Sequence, residues 1–94
     1  MDIELVAVVR RVMCARNGSP ISLTSVDLIY PDGRDCGVPV FVNGYEGASQ
    51  LLMKFGASPR ELEKTQAQFE KDGEIRVPLT VDEAVVRGRG FNPR

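Results

Sequence analysis

The sequence predicts an α+β domain, with an antiparallel sheet of three to four strands and two to three helices packed on one of its faces. Three observations support this class. Asn17-Gly18 stands between two apolar segments, which is the strongest short-range signal of a β-hairpin. Two segments in the middle of the chain begin with a capping residue and continue with apolar residues at helical spacing. Short apolar segments rich in β-branched residues flank them.

Residues 2–17 are compatible with two structures. A helix would begin at Asp2, present one apolar stripe and end at Asn17-Gly18. A strand would instead pair with residues 21–30, and this hairpin would set Val12 opposite Leu23, Val9 opposite Val26, Ala7 opposite Leu28 and Leu5 opposite Tyr30. The apolar alternation shifts by one residue in both segments, and the hairpin brings the two shifts to the same level, as in a bent or bulged ribbon. We therefore favour the hairpin.

Residues 30–37 predict a turn, in which Pro31 presets φ and Asp32 bonds its own backbone neighbours. "VPVFV", residues 38–42, predicts a short strand. Because Pro39 has no N–H to donate, this strand is expected at an edge of the sheet.

Two helices follow. Asn43 caps the first, which ends at Gly56, and Ser58-Pro59 opens the second, which runs to Gly73. "EIRVPL" then predicts a strand interrupted by Pro78, and Thr80 is expected to cap a short last helix. The predicted order is β-β-β-α-α-β-α.

The chain of 94 residues predicts one domain over residues 1–87 and a flexible basic tail over residues 88–94. Its 43% hydrophobic and 27% charged residues are typical of a globular protein, and its net charge of −1 gives no overall attraction to nucleic acid. No apolar segment approaches the ~18 residues of a membrane span, and acids near the N-terminus argue against a signal peptide. We expect a cytoplasmic protein with no membrane partner.

The chain has no histidine and no CxxC motif, which removes the common zinc sites and the histidine-activated nucleophiles. No lysine follows the glycines of "NGYEG" as it would in a phosphate-binding loop. We therefore expect no catalytic residue, metal or cofactor, and a protein that is not an enzyme. Cys14 and Cys36 are expected to be reduced, small apolar residues, with a disulfide between them as the alternative.

Residues 48–77 resemble part of a winged helix-turn-helix domain: a short helix, the turn "GAS", a second helix and a strand opening after "KDG". The resemblance implies a DNA-binding regulator using residues 46–77, in which Arg60 and Lys64 read DNA and Arg87 and Arg89 hold phosphates. However, residues 58–76 carry five acids against four basic residues, and two of these acids, Glu61 and Glu63, open the second helix, where the DNA would be contacted. We keep DNA binding as the alternative function.

The leading interpretation comes from a surplus of apolar residues in the predicted sheet. If Ala7, Val9 and Val26 face the helices, then Val6, Val8 and Ile29 point to the opposite face, where a solvated sheet would carry polar residues. Apolar surfaces of this kind mark an interface, and a two-fold homodimer is the commonest way to cover one.

We therefore expect a non-enzymatic protein-binding module, of adaptor or inhibitor type, that forms a homodimer and acts by occupying a surface. Tyrosine and arginine carry much of the energy of interfaces. To the three apolar residues above we accordingly add Phe41, an exposed Tyr45, and Arg10 and Arg11 at the bend of the ribbon as candidate interface residues.

Overall fold

A computed structural model describes residues 2–37 and 39–88 and confirms the α+β class. Within these residues, four antiparallel strands and three helices follow one another in the predicted order. They are β1 (Asp2–Arg16), β2 (Ser19–Ile29), β3 (Val40–Val42), α1 (Gly44–Lys54), α2 (Pro59–Asp72), β4 (Glu74–Asp82) and α3 (Glu83–Gly88). The strand order in the sheet is β3-β2-β1-β4.

The N-terminal hairpin has the register that the sequence predicts, with Val12 opposite Leu23, Val9 opposite Val26 and Ala7 opposite Leu28. Asn17 and Gly18 have φ of 53° and 79°, as a two-residue turn of type I′ requires. Pairing is unbroken from Val6–Ile29 to Arg16–Ser19, and the expected Leu5–Tyr30 pair falls outside it because β2 ends at Ile29. No residue is inserted at the shift in alternation, so beyond it the apolar side chains move to the other face of the sheet.

The core lies between the sheet and the helices. Its fully buried members come from both layers and include Leu5, Val9 and Leu28 from the sheet and Leu52 and Val86 from the helices. Cys36 is also in this core, and Tyr30 packs at its margin as the predicted facing of the sheet requires. One face of the sheet is thereby covered.

Strand β4 is longer than predicted. It continues through Pro78 to Asp82, and as an edge strand it tolerates a residue that donates no ladder hydrogen bond. The prediction that Thr80 caps the last helix is therefore wrong: Asp82 does so, accepting a hydrogen bond of 2.8 Å from the Ala84 N–H at its Oδ1. Pairing with β1 holds Thr80 in the strand, opposite Glu4.

Helix α2 has the predicted ends. Pro59 is at its first turn, and Gly73 ends it with φ of 75°. Ser58 and Asn43 stand at the N-cap positions of α2 and α1, but neither side chain makes a capping hydrogen bond. The Gly73 carbonyl instead accepts a 2.8 Å hydrogen bond from the Arg11 N–H, which ties the end of α2 to the middle of β1.

The hairpin extends beyond the ends of β3 and β4. Pairing with β4 ends at Arg10–Glu74, and pairing with β3 ends at Thr24–Val42. Residues 12–23 therefore continue as a two-stranded arm, in keeping with a molecule that measures 44 Å along its longest axis and 22 Å along its shortest. An isolated ribbon of this kind is marginally stable in water.

Candidate functional site

The side of the sheet opposite the helices forms the open face. Side chains on it alternate along each strand with those of the core, and partners across the ladder share a face. Its members are Asp2, Glu4, Val6, Val8, Arg10, Val12 and Cys14 on β1, Ile21, Leu23, Ser25, Asp27 and Ile29 on β2, Phe41 on β3, and Glu74, Arg76, Pro78, Thr80 and Asp82 on β4. Among the described residues, the buried core cluster lies wholly on the other side of these strands.

Five of the seven residues predicted for a protein interface meet on this face. Val6 and Ile29 are paired with each other and half-buried. Arg10 lies beside Ser25, which in turn pairs with Phe41, and the Phe41 side chain is 56% exposed. Val8 differs from the others because it is only 4% exposed although it lies outside the core cluster, so its strand neighbours already shield it.

The prediction that Tyr45 is exposed is wrong. This residue is half-buried, its hydroxyl donates to the Leu62 carbonyl at 2.5 Å and lies 2.6 Å from Thr65 Oγ1, and its ring stacks on Phe69 with centroids 5.1 Å apart. Its position on α1 turns it towards α2, where it joins the two helices. No local pattern around Tyr45 indicates this, because the partners of its hydroxyl lie 17 to 20 positions away.

Arg11 is likewise separated from the other candidates. The strand alternation points it away from the open face, and its guanidinium lies over the Phe69 ring, 5.2 Å from the centroid. A cation–π contact of this kind contributes about 0.5–1 kcal/mol at an exposed site. The adjacent arginines at the shift in alternation therefore lie on opposite faces of the sheet.

Four apolar residues of the arm, Val12, Cys14, Ile21 and Leu23, were missing from the predicted interface. They are half-buried and form two successive pairs on the open face, Val12–Leu23 and Cys14–Ile21. The signal that could have found them was the shift in alternation, since an unbroken register carries apolar side chains from the core face to the open face at that level. The arm thus presents an apolar face beyond the end of the core.

Charged residues cross the open face between its two apolar parts. Residues that are paired across neighbouring strands form a row of this face. Arg10 and Glu74 lie in one row and form an ion pair of 2.7 Å, and Arg76 is paired with Val8 in the next row. Asp27 is in the same row as Val8, and its buried Oδ1 has no hydrogen-bond partner within the described part of the chain. Burial, and then the nearby Asp35 carboxylate, raise the pKa of Asp27 above its ordinary value, although Arg10 acts in the opposite direction.

Two of the depressions in the surface of the described residues lie near candidate residues. A hollow of about 300 Å³ opens where the open face meets the sheet end, lined by Glu4, Leu5, Val6, Pro31, Pro78, Leu79 and Thr80. A cleft of about 170 Å³ lies between α1 and α2 beside Tyr45 and Met53. The cleft is smaller than the ~300–1,000 Å³ usual for small-molecule sites. The hollow borders Val6 and is continuous with the open face.

The residues of the alternative DNA site are dispersed. Arg60 and Lys64 lie one turn apart on the exposed surface of α2, whereas Arg87 on α3 is paired with Glu83 at 2.7 Å. Arg89, like the rest of the predicted tail after Gly88, lies outside the described residues. The segment after α2 is a strand of the main sheet paired with β1, in the position where a winged domain would carry its wing.

The two cysteines are free thiols, one half-buried on the arm and one buried in the core. Within residues 2–37 and 39–88, no three acidic or cysteine side chains cluster closely enough to hold a metal ion, and no helix is long and apolar enough to cross a membrane. No family model, curated protein or solved structure matches this chain significantly.

Proposed function

We propose that this protein is a non-enzymatic protein-binding module that forms a homodimer through the open face and acts by occupying a surface. The observation that carries the proposal is the apolar character of two parts of that face, at Val6, Ile29 and Pro78 on the sheet and at Val12 and Leu23 on the arm. A sheet face in contact with water normally carries polar residues.

The size of the face supports the same proposal. It extends over about twelve residues of the hairpin, roughly 40 Å, and is two to four strands wide, roughly 10–19 Å. Covering it between two copies would bury roughly 1,000 Å² in total, which is near the lower limit for a specific interface. Phe41 adds an exposed aromatic side chain of the kind that carries binding energy.

The cytoplasm is the compartment we propose for it, because free thiols persist in a reducing environment. Double-stranded DNA remains the alternative partner, through residues 46–77. A fluorescence-polarisation titration with random duplex DNA separates the two functions: binding that falls steeply between ~50 and ~200 mM salt would replace the protein-binding proposal with the DNA-binding one.

Light scattering after size-exclusion chromatography at micromolar concentration tests the dimer. We expect a mass of two chains for the wild-type protein and of one chain for Val6→Lys, because the lysine would place a charge within the covered apolar surface. Met53→Lys is the matched control, since Met53 is 41% exposed on the helix layer. A monomeric wild-type protein, or equal effects of the two lysines, would overturn the proposal.

A further inference from the structure

Resting on the proposed function, we propose that a second copy of this chain packs its open face against the open face of the first, and that a two-fold axis relates the two copies. The axis lies between the two sheets and parallel to them, runs perpendicular to the strands, and passes them at the position of Val9. Like strands then lie over each other in opposite directions. The row of Arg10 in one copy faces the row of Val8 in the other, and the row of Val12 faces that of Val6. The arm of each copy therefore lies over the sheet of the other.

Two apolar pairs match under this axis, whereas Cys14 on the arm is placed over Glu4 of the second copy. Val12 and Leu23 on the arm are placed over Val6 and Ile29 of the second copy, where the hollow of about 300 Å³ is bordered by Pro78. The arm, which projects beyond the core, is thereby laid over the hollow. Packed sheets lie ~10 Å apart, which is close enough for these side chains to interdigitate.

The charges match as well. Glu74 and Arg76 lie two residues apart on β4, on the same face, so the axis places Glu74 of each copy over Arg76 of the other. On β2, it places Asp27 over Ser25 of the second copy, whose hydroxyl makes only a 3.4 Å contact with the Arg10 carbonyl in the single chain.

A second symmetric arrangement, with the axis along the strands, lacks this charge matching. It would place Val12 over Leu23 and Val6 over Ile29, so the apolar residues would still meet. However, Glu74 would face Phe41 of the other copy, and Arg76 would lie beyond the start of β3 at Val40. Electrostatic complementarity is what fixes the register of an interface, so we favour the axis across the strands.

Mixing two charge-reversed variants tests the Glu74–Arg76 contact. In the dimer of Glu74→Lys, the introduced lysine of each copy faces Arg76 of the other. In the dimer of Arg76→Glu, the introduced carboxylate of each copy faces Glu74 of the other. Each variant alone should therefore dimerise roughly 10-fold more weakly than the wild-type protein. An equimolar mixture restores both attractive contacts and should recover the wild-type dissociation constant, as should the double variant in one chain. If mixing does not tighten association, the pairing is wrong.

Pulsed dipolar spectroscopy measures the direction of the arms. A spin label on Ser19→Cys, in a Cys14→Ser background, sits on the exposed arm tip opposite Arg16, seven residues from the axis. We expect a distance of roughly 45–50 Å between labels. A distance below about 25 Å would mean that the arms stack side by side, which would overturn the axis and leave the homodimer intact. A monomer by light scattering would instead overturn the proposed function.

Discussion

The hydroxyl of Tyr45 on α1 donates a hydrogen bond to the backbone carbonyl of Leu62 on α2. This contact joins the two helices on the side of the protein opposite the open face, and the stacking on Phe69 reinforces it. Removing the hydroxyl of a tyrosine that joins two helices should lower the stability of the protein, whereas removing that of an interface tyrosine should weaken dimerisation.

We expect Tyr45→Phe to lower the free energy of unfolding by about 1 kcal/mol and to leave dimerisation unchanged. The phenylalanine keeps the ring contact and loses only the hydrogen bond, and a net loss of ~0.5–1.5 kcal/mol is usual for one such bond. Urea denaturation measures the first effect and light scattering the second. A variant of normal stability that fails to dimerise would return Tyr45 to the interface.

Phe41 and Met13 are both exposed apolar residues, at 56% and 67%, but they lie on opposite faces of the sheet. We expect Phe41→Ala to weaken dimerisation by about 1–2 kcal/mol, roughly 5- to 30-fold, because aromatic residues at an interface carry much of its energy. Met13→Ala is the matched control and should have little effect. Sedimentation equilibrium gives both dissociation constants, and a larger effect for Met13→Ala would place the interface on the other face of the arm.

Asp27 and Asp32 should respond to pH in opposite directions. The folded protein holds a proton on Asp27 to a higher pH than the unfolded chain does, so the stability that it contributes is present at low pH and is lost as the pH rises through its raised pKa. Asp27→Asn should therefore stabilise the protein at pH 7, with an advantage that fades as the pH falls towards the ordinary value of 3.8. Asp35 and Arg10 are the charged groups acting on it.

Asp32 is the control for this measurement. The Arg34 N–H donates to its carboxylate at 3.0 Å, and this bond lowers its pKa. Its stabilising effect is present above the ordinary pKa of 3.8 and is lost as the pH falls through the lowered pKa. Asp32→Asn should thus destabilise the protein at pH 7. Urea denaturation of both variants, at a protein concentration below the dissociation constant of the dimer, checks the signs; two changes of the same sign at pH 7 would contradict the assignment.

Cys36 should be unreactive in the folded protein. Its side chain is fully buried in the core, and this burial raises the pKa of its thiol above the ordinary value of 9.0, so little thiolate is available to attack a reagent. In Cys14→Ser, we expect the remaining thiol to react with Ellman's reagent only as the protein unfolds in urea. Rapid reaction under native conditions would mean that the segment around Cys36 opens without global unfolding.

Local signals in the sequence were sufficient for several elements. Asn17-Gly18 and the alternation on either side of it predict the hairpin and its register, since a two-residue turn leaves one pairing that keeps the apolar side chains together. Ser58-Pro59 and Gly73 likewise mark the two ends of α2. In each case the residues that determine the structure lie next to the structure they determine.

Other features depend on residues far apart in the chain. The pairing of β1 with β4 carries the last strand through Pro78 to Asp82, and it is this pairing that leaves Thr80 in the strand. Only the position of α2 brings Phe69 against Tyr45 and Arg11. The sequence by itself favoured the hairpin over a helix and determined helices α1 and α2 and the alternation of each strand. The tertiary structure decided where β4 stops covering the hairpin, because that depends on contacts between segments separated by most of the chain.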